Sequence, residues 1–198
     1  MEATQIRSNA PLLAIGTGGD DLHREASQMI AVQYKKHFDC ELKHFMPRTF
    51  NLYEGKNLKA CTGFTPAGNQ ALFLEQYFDR PIEALLSEKF KTPVDRSTIC
   101  EIGGFAVDNK RYVLPFMLEL APAFRAQGFQ FAVCTVTSPV RACLRKLGIQ
   151  SVCLGKANAE RVDTSDNAWG NYYQLSPVVL AGDIQANIDR LMPLLKLF

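Results

Sequence analysis

The sequence is short of the features that usually announce a chemistry. It holds one tryptophan, three histidines and no Cys-x-x-Cys pair among its six cysteines. No apolar run approaches the roughly 18 residues a membrane helix needs, and Pro11 to Ile15 is too short for the core of a secretory signal. Those absences argue against a membrane span and a disulfide scaffold, so a cytoplasmic protein with reduced thiols is expected. Charge of either sign is not in excess. Twenty-two basic residues face 20 acidic ones, and no basic block stands out, so nucleic acid is not expected as a partner. The phosphate loop GxxxxGK[ST] and the nucleophile elbow GxSxG are both missing. Gly16-Thr17-Gly18-Gly19 follows no convincing strand. His37, Asp39, Cys40 and His44 fit no standard metal spacing, and no metal is expected.

What is present is an ordinary globular composition of 198 residues, enough for one core. Residues 1–19 read as a flexible lead-in and 20–198 as a single domain. Asp20 or Asp21 caps a helix to about Phe38. Thr49 to Glu54 and Leu58 to Phe64 read as a hairpin about the turn Glu54-Gly55-Lys56-Asn57. The apolar stretch ALFLEQYFD fits either a strand or a short helix, and Pro81 opens a helix to about Phe90. Ser97 to Asp108 reads as a central strand, apolar on both faces. Tyr112 to Gln127 is helical, with Pro115 and Pro122 against its being straight. Phe129 to Thr137 is a second apolar strand, followed by a helix over 139–147 and a short strand over 149–154. Trp169 to Leu180 reads as a strand pair or one strand bent at Pro177. Asp183 caps a closing helix that ends in the apolar tail LMPLLKLF. An antiparallel first half with a parallel strand–helix–strand centre defines a mixed α/β class.

One carboxylate stands out. Glu101 lies inside the central strand, where an unpaired charge is expensive, and Gly103-Gly104 follow it at once. Paired glycines in a strand mark a bulge or the close approach of another backbone or ligand. Glu75, in its apolar run, is a second candidate, and Arg96 could hold either carboxylate or an anionic substrate group. Burial that raises the pKa would make Glu101 a general base. Pairing with Arg96 or another cation would make it structural. Trp169, Tyr172 and Tyr173 form an aromatic end that fits either the core or a ligand wall.

The strand CEIGGFAVD resembles the E-[IL]-S-R-F-x-V-D strand of the bacterial acyl-homoserine-lactone synthases, which have the acetyltransferase-like (GNAT) fold. ACTGFTPAG and LFLEQYF more loosely echo the segment before it. A fuller resemblance, over residues 25–185, is to the bacterial thermostable hemolysin family. It runs through LFLEQYFDRPIE, Arg96 with CEIGGFA, CTVTSPV and WGNYYQLSPVVLAG.

These resemblances imply a GNAT-like mixed sheet flanked by helices, with its parallel centre splayed into a cleft. They imply an acyltransferase that moves a fatty acyl group from an acyl-CoA or acyl-carrier-protein thioester to a small amine, with no permanent cofactor. Glu101 matches the synthase glutamate that takes the amine proton. Gly104 stands where the synthases have an arginine, and their paired N-terminal aspartates have no match around Asp39 to His44. The Q/R-x-x-G-x-G/A pyrophosphate loop of acetyltransferases is replaced by the turn Asp108-Asn109-Lys110-Arg111, where Lys110 and Arg111 could meet phosphate.

A pantetheine arm would lie along Gly103, Gly104, Phe105, Ala106 and Val107. Phe105, Phe116 and Val133 would line an acyl channel, with Trp169 and Tyr172 in the substrate pocket. The family name implies instead a membrane-active hemolysin, for which the apolar tail could touch a membrane surface. A catalytically inactive binding module is a third reading. The same tail could serve an oligomer.

Overall fold

The computed structural model describes residues 11–68, 70–162 and 169–195. Seven strands form one sheet: β1 Leu12–Thr17, β2 Arg48–Glu54, β3 Asn57–Pro66, β4 Ile99–Val107, β5 Phe131–Val136, β6 Val152–Lys156 and β7 Val178–Asp183. The order is β1-β2-β3-β4-β5-β7-β6. Among the described strands, only β4 and β5 pair in parallel. The class expected from the sequence is the one observed, a GNAT-like mixed sheet flanked by helices.

The helices are α1 Asp21–Phe38, α2 Ile82–Phe90, α3 Val113–Ala126, α4 Ser138–Lys146 and α5 Ile184–Leu195. Asp20 caps α1 by accepting from the His23 N–H at 2.7 Å. Asp183 does the same for α5, accepting from Ala186 N–H at 2.8 Å. Pro115 falls in the first turn of α3, where a missing N–H is harmless, while Pro122 lies inside it. The turn Phe73–Tyr77, α1 and α2 pack on one face of the sheet. On the other, Phe116 and Phe124 of α3 meet Phe50, Phe64 and Ile184. No helix among the described residues is long and apolar enough to cross a membrane.

Three segments differ from expectation. Residues 12–17, assigned to a lead-in, form edge strand β1, antiparallel to β2. Its Leu12 and Ile15 are exposed, so it carries no buried alternation to read. Gly16 allows the close seating of β1 on α1 and β2, since a Cβ there would lie 2.5 Å from Thr49 Oγ1. The strand expected across Trp169–Leu180 is instead a 3-10 turn, Tyr172–Leu175, followed by β7. Finally, β7 inserts antiparallel between β5 and β6 and separates them. The side chains of the tail beyond Leu191 lie outside the described residues.

Candidate active site

The β4–β5 ladder is short. It joins Ile99–Phe131 through Ile102–Cys134 and stops there, after which β5 continues against β7 alone. Beyond Ile102, β4 therefore has no strand partner on its β5 side among the described residues. At the same point β4 bulges against β3, where the register jumps from Cys61↔Ala106 to Gly63↔Gly103. Gly104 takes φ +64°, a left-handed conformation that other residues adopt at a penalty. The bulge turns Gly103 and Gly104 towards the same side, Gly103 against Met46 and Gly104 against Ile30. A Cβ on Gly103 would come within 2.7 Å of the Met46 Cε.

A cavity of about 610 Å³ opens on this side. Its floor carries Glu101, Ile102, Gly103 and Gly104 of β4 with Thr135 of β5. Its walls come from α1 (Ile30, Tyr34), the strap Leu42 to Pro47, the turn residues Phe73 and Tyr77, and Trp169 with Tyr172.

Glu101 is 3% exposed. Its Oε1 accepts from the Leu74 N–H at 3.2 Å, and its Oε2 has no protein partner. Burial pushes its carboxyl up to about 7, against the pull of the Leu74 and Phe73 N–H groups. The Thr135 hydroxyl, on the same cavity floor, also lacks a partner. The Tyr34 hydroxyl is bonded to the backbone of Gly104, with burial pushing it up to about 12. Tyr172 donates its hydroxyl to the Thr135 carbonyl at 3.1 Å.

The remaining sequence candidates lie elsewhere. Glu75 and Arg96 form a bidentate pair of 2.7 and 2.6 Å in a shallow groove outside the cavity. Glu75 also accepts from the N–H groups of Leu72 and Ile82, and Arg96 reaches Glu83 at 2.6 Å. Burial pushes the Glu75 carboxyl up, but the Arg96 guanidinium and the two N–H groups outweigh it and leave it at about 2.

Phe116 and Val133, expected in an acyl channel, are wholly buried in the two cores that sandwich the sheet. Phe105 packs on Phe116 at a ring separation of 5.5 Å, away from the cavity. Ala106 faces α1 and Val107 faces α3. Lys110 is exposed, and Arg111 lies over the Tyr112 ring, 4.7 Å from its centroid, beside Glu54. Among the described residues no group of three or more histidine, cysteine, aspartate or glutamate side chains could hold a metal ion.

Two wall elements were not singled out as site candidates from the sequence: Tyr34 and the strap over 42–47. Tyr34 lies on a helix face that reads as ordinary packing, and the strap has neither period nor motif.

A mixed sheet that opens between the one parallel pair among its described strands, flanked by helices, is the GNAT-like fold of acyl-homoserine-lactone synthases. Solved structures of similar fold include the synthase LasI, at 14% identity over 89% of this chain and 91% of that one, with a TM-score of 0.59. The CoA-dependent acyl-homoserine lactone synthase BjaI, solved with SAM and isopentyl-CoA, shares 14% identity over 92% and 88%, with a TM-score of 0.60. FeeM, an N-acyl amino acid synthase from uncultured soil microbes, shares 12% over 90% and 95%, with a TM-score of 0.58. The model of the thermostable hemolysin family matches residues 17–188, and the chain belongs to that family. No curated protein matches it by sequence.

Proposed function

We propose that the protein is an acyltransferase that moves a fatty acyl group from an acyl-CoA or acyl-carrier-protein thioester to a small amine. The observation that carries this reading is Glu101: a buried carboxylate, titrating near neutrality, with one oxygen free at the floor of a cavity. A base with that pKa can take an amine proton near pH 7. The amine nitrogen attacks the thioester carbonyl and forms the C–N bond, and Glu101 takes the nitrogen's proton. The tetrahedral intermediate then collapses, the C–S bond breaks, and the thiolate leaves and is protonated.

The unpaired side of β4 from Gly103 to Val107 offers backbone groups to a pantetheine arm, and an N–H at the bulge would meet the oxyanion. Lys110 and Arg111, on the turn at the start of α3, would meet the donor's phosphates. The fold is shared with synthases whose names state acyl transfer, and the cytoplasm is where such thioester donors occur.

The test is thiol release from an acyl-CoA series, and from acylated carrier protein, in the presence of amines. Glu101→Gln is expected to lower turnover by about 10²–10⁴-fold with the circular dichroism unchanged. Unchanged turnover in that variant removes Glu101 from the mechanism. The family description favours a second reading, a membrane-active hemolysin. Dye leakage from liposomes by the purified protein, without substrate, would support it.

A further inference from the structure

The cavity above Glu101 has a continuous aromatic side. Rings follow one another from Tyr34 to Phe38 at 5.2 Å, Phe38 to Tyr172 at 5.2 Å, Tyr172 to Trp169 at 5.6 Å, Trp169 to Phe73 at 5.4 Å and Phe73 to Tyr77 at 6.2 Å. Of these six rings, all but Phe38 line the cavity. The arc curves around a floor whose buried charged group is Glu101, with its unpartnered oxygen. Aromatic faces attract cations and reject anions, and both effects grow where water is excluded. Among the described lining residues, the basic side chains are Lys43 and His44, both exposed on the strap. A buried cation that could receive a carboxylate beside Glu101 is not among them. Arginine is absent from the described lining, and Arg96 is held by Glu75 and Glu83 in the other groove.

We propose that this cavity takes an apolar, monocationic amine, an arylalkyl- or alkylamine with no anionic group, placing its ammonium against Glu101 and its body along the aromatic arc. This deepens the acyltransferase reading by naming the class of acceptor, and it excludes free amino acids. A carboxylate on the carbon next to the nitrogen would lie close to Glu101 and against ring faces, where it is repelled twice. The volume of about 610 Å³ suits a small arylalkyl body.

The chain's single tryptophan, Trp169, is part of the arc and reports binding directly. Trp169 fluorescence of the full-length protein is titrated with 2-phenylethylamine, phenylalanine methyl ester, phenylalanine and 3-phenylpropionate. The two amines without a carboxylate should bind saturably and at least tenfold more tightly than phenylalanine, and 3-phenylpropionate should not bind. Glu101→Gln should weaken both amines by tenfold or more. Phe73→Leu, at a partly exposed position that leaves the core intact, should weaken them severalfold. Equal or tighter binding of phenylalanine, or amine binding indifferent to Glu101→Gln, overturns the proposal. So does the absence of any amine response.

Thiol release from acyl-CoA and acylated carrier protein, measured on the same samples, keeps the two ideas apart. Glu101-dependent amine binding without thiol release from any donor upholds the cavity assignment and defeats the acyltransferase reading. Thiol release driven only by free amino acids does the reverse.

Discussion

Glu75 sits inside the turn Phe73–Tyr77, and Glu101 accepts a hydrogen bond from the backbone of that same turn. The two carboxylates share a neighbourhood and have opposite surroundings. Glu75 has both oxygens filled by the Arg96 fork and by the N–H groups of Leu72 and Ile82. Glu101 has only the N–H groups of Leu74 and Phe73, and its Oε2 has no partner. The first is held at about 2 and the second at about 7. Local sequence hardly distinguishes them, since each is a lone glutamate in an apolar run. What separates them is the supply of donors, which fills both oxygens of Glu75 and leaves one oxygen of Glu101 without a partner.

The largest test of this contrast is stability at pH 8, where the two conservative changes should have opposite signs. Glu75→Gln leaves the Arg96 guanidinium with Glu83 as its one carboxylate, beside the Gln70 carbonyl, and weakens the bonds that hold the turn. A loss of about 2–3 kcal/mol is expected, or roughly 5–10 °C in Tm for a chain of this size. Glu101→Gln removes a buried charge that has no cation beside it. It should raise Tm at pH 8, by the equivalent of about 1–3 kcal/mol, while abolishing the proposed turnover. Differential scanning calorimetry decides it. A drop in Tm for Glu101→Gln would mean that its carboxylate is a structural partner after all. Because Leu74 stands between the two groups, Glu75→Gln should also lower turnover modestly by displacing the N–H that orients Glu101. Glu75 is expected to act as a positioning residue only, so the variant's pH profile should keep the wild-type limb near 7.

Next in size is the pH dependence of that stability. The folded-state pKa of Glu101 is raised from 4.5 to about 7, so the folded protein binds the proton more tightly than the unfolded chain. Stability then falls as pH rises from about 4.5 to 7 and stays level above, by about 3 kcal/mol for a shift of this size. Glu75 runs the other way. Its pKa is depressed from 4.5 to about 2, so its contribution is complete above about 4.5 and is lost as pH falls towards 2. Urea denaturation from pH 3 to 8 should show both slopes in the wild type. Glu101→Gln should lose only the slope between 4.5 and 7, and Glu75→Gln only the acid limb. A Glu101→Gln variant that retains the neutral slope assigns that titration to another group.

Much of the frame could be read from residues because caps, period and turns agreed. Asp20 and α1, the hairpin about Gly55, β4 and α3 all follow their local signals closely. Glu101 was legible as a buried carboxylate beside a bulge, since an acidic residue in a doubly apolar strand is followed there by two glycines. The cavity was not. Phe116 and Val133 looked suitable for a channel because they are apolar and near the right strands, but an apolar side chain suits a core and a cavity equally well. Both proved to be core. The true walls include the strap over 42–47, which has no repeating pattern, and Tyr34, whose role depends on where α1 crosses the sheet. β1 and the insertion of β7 between β5 and β6 are tertiary facts, settled by pairings distant in sequence.

The smallest effect concerns the bulge that lies two residues beyond Glu101 and has no counterpart near Glu75. Gly104 holds φ +64°, and a Cβ there would stand 3.0 Å from the Cδ1 of Ile30. Gly104→Ala should cost about 1–2 kcal/mol from the left-handed conformation alone, with a little more from the tight contact on α1. The Glu75–Arg96 pair lies in the other groove and should not respond, so the acid limb of stability stays where it is. If the bulge sets the geometry at the fork, the variant should lose turnover by more than its drop in Tm explains, because Gly104 and Tyr34 line the same cavity as Glu101. Paired measurements of Tm and thiol release separate strain from catalysis. A turnover that is unchanged once the protein is folded would show that the bulge only makes room for Ile30 and Met46, and that the fork alone defines the site.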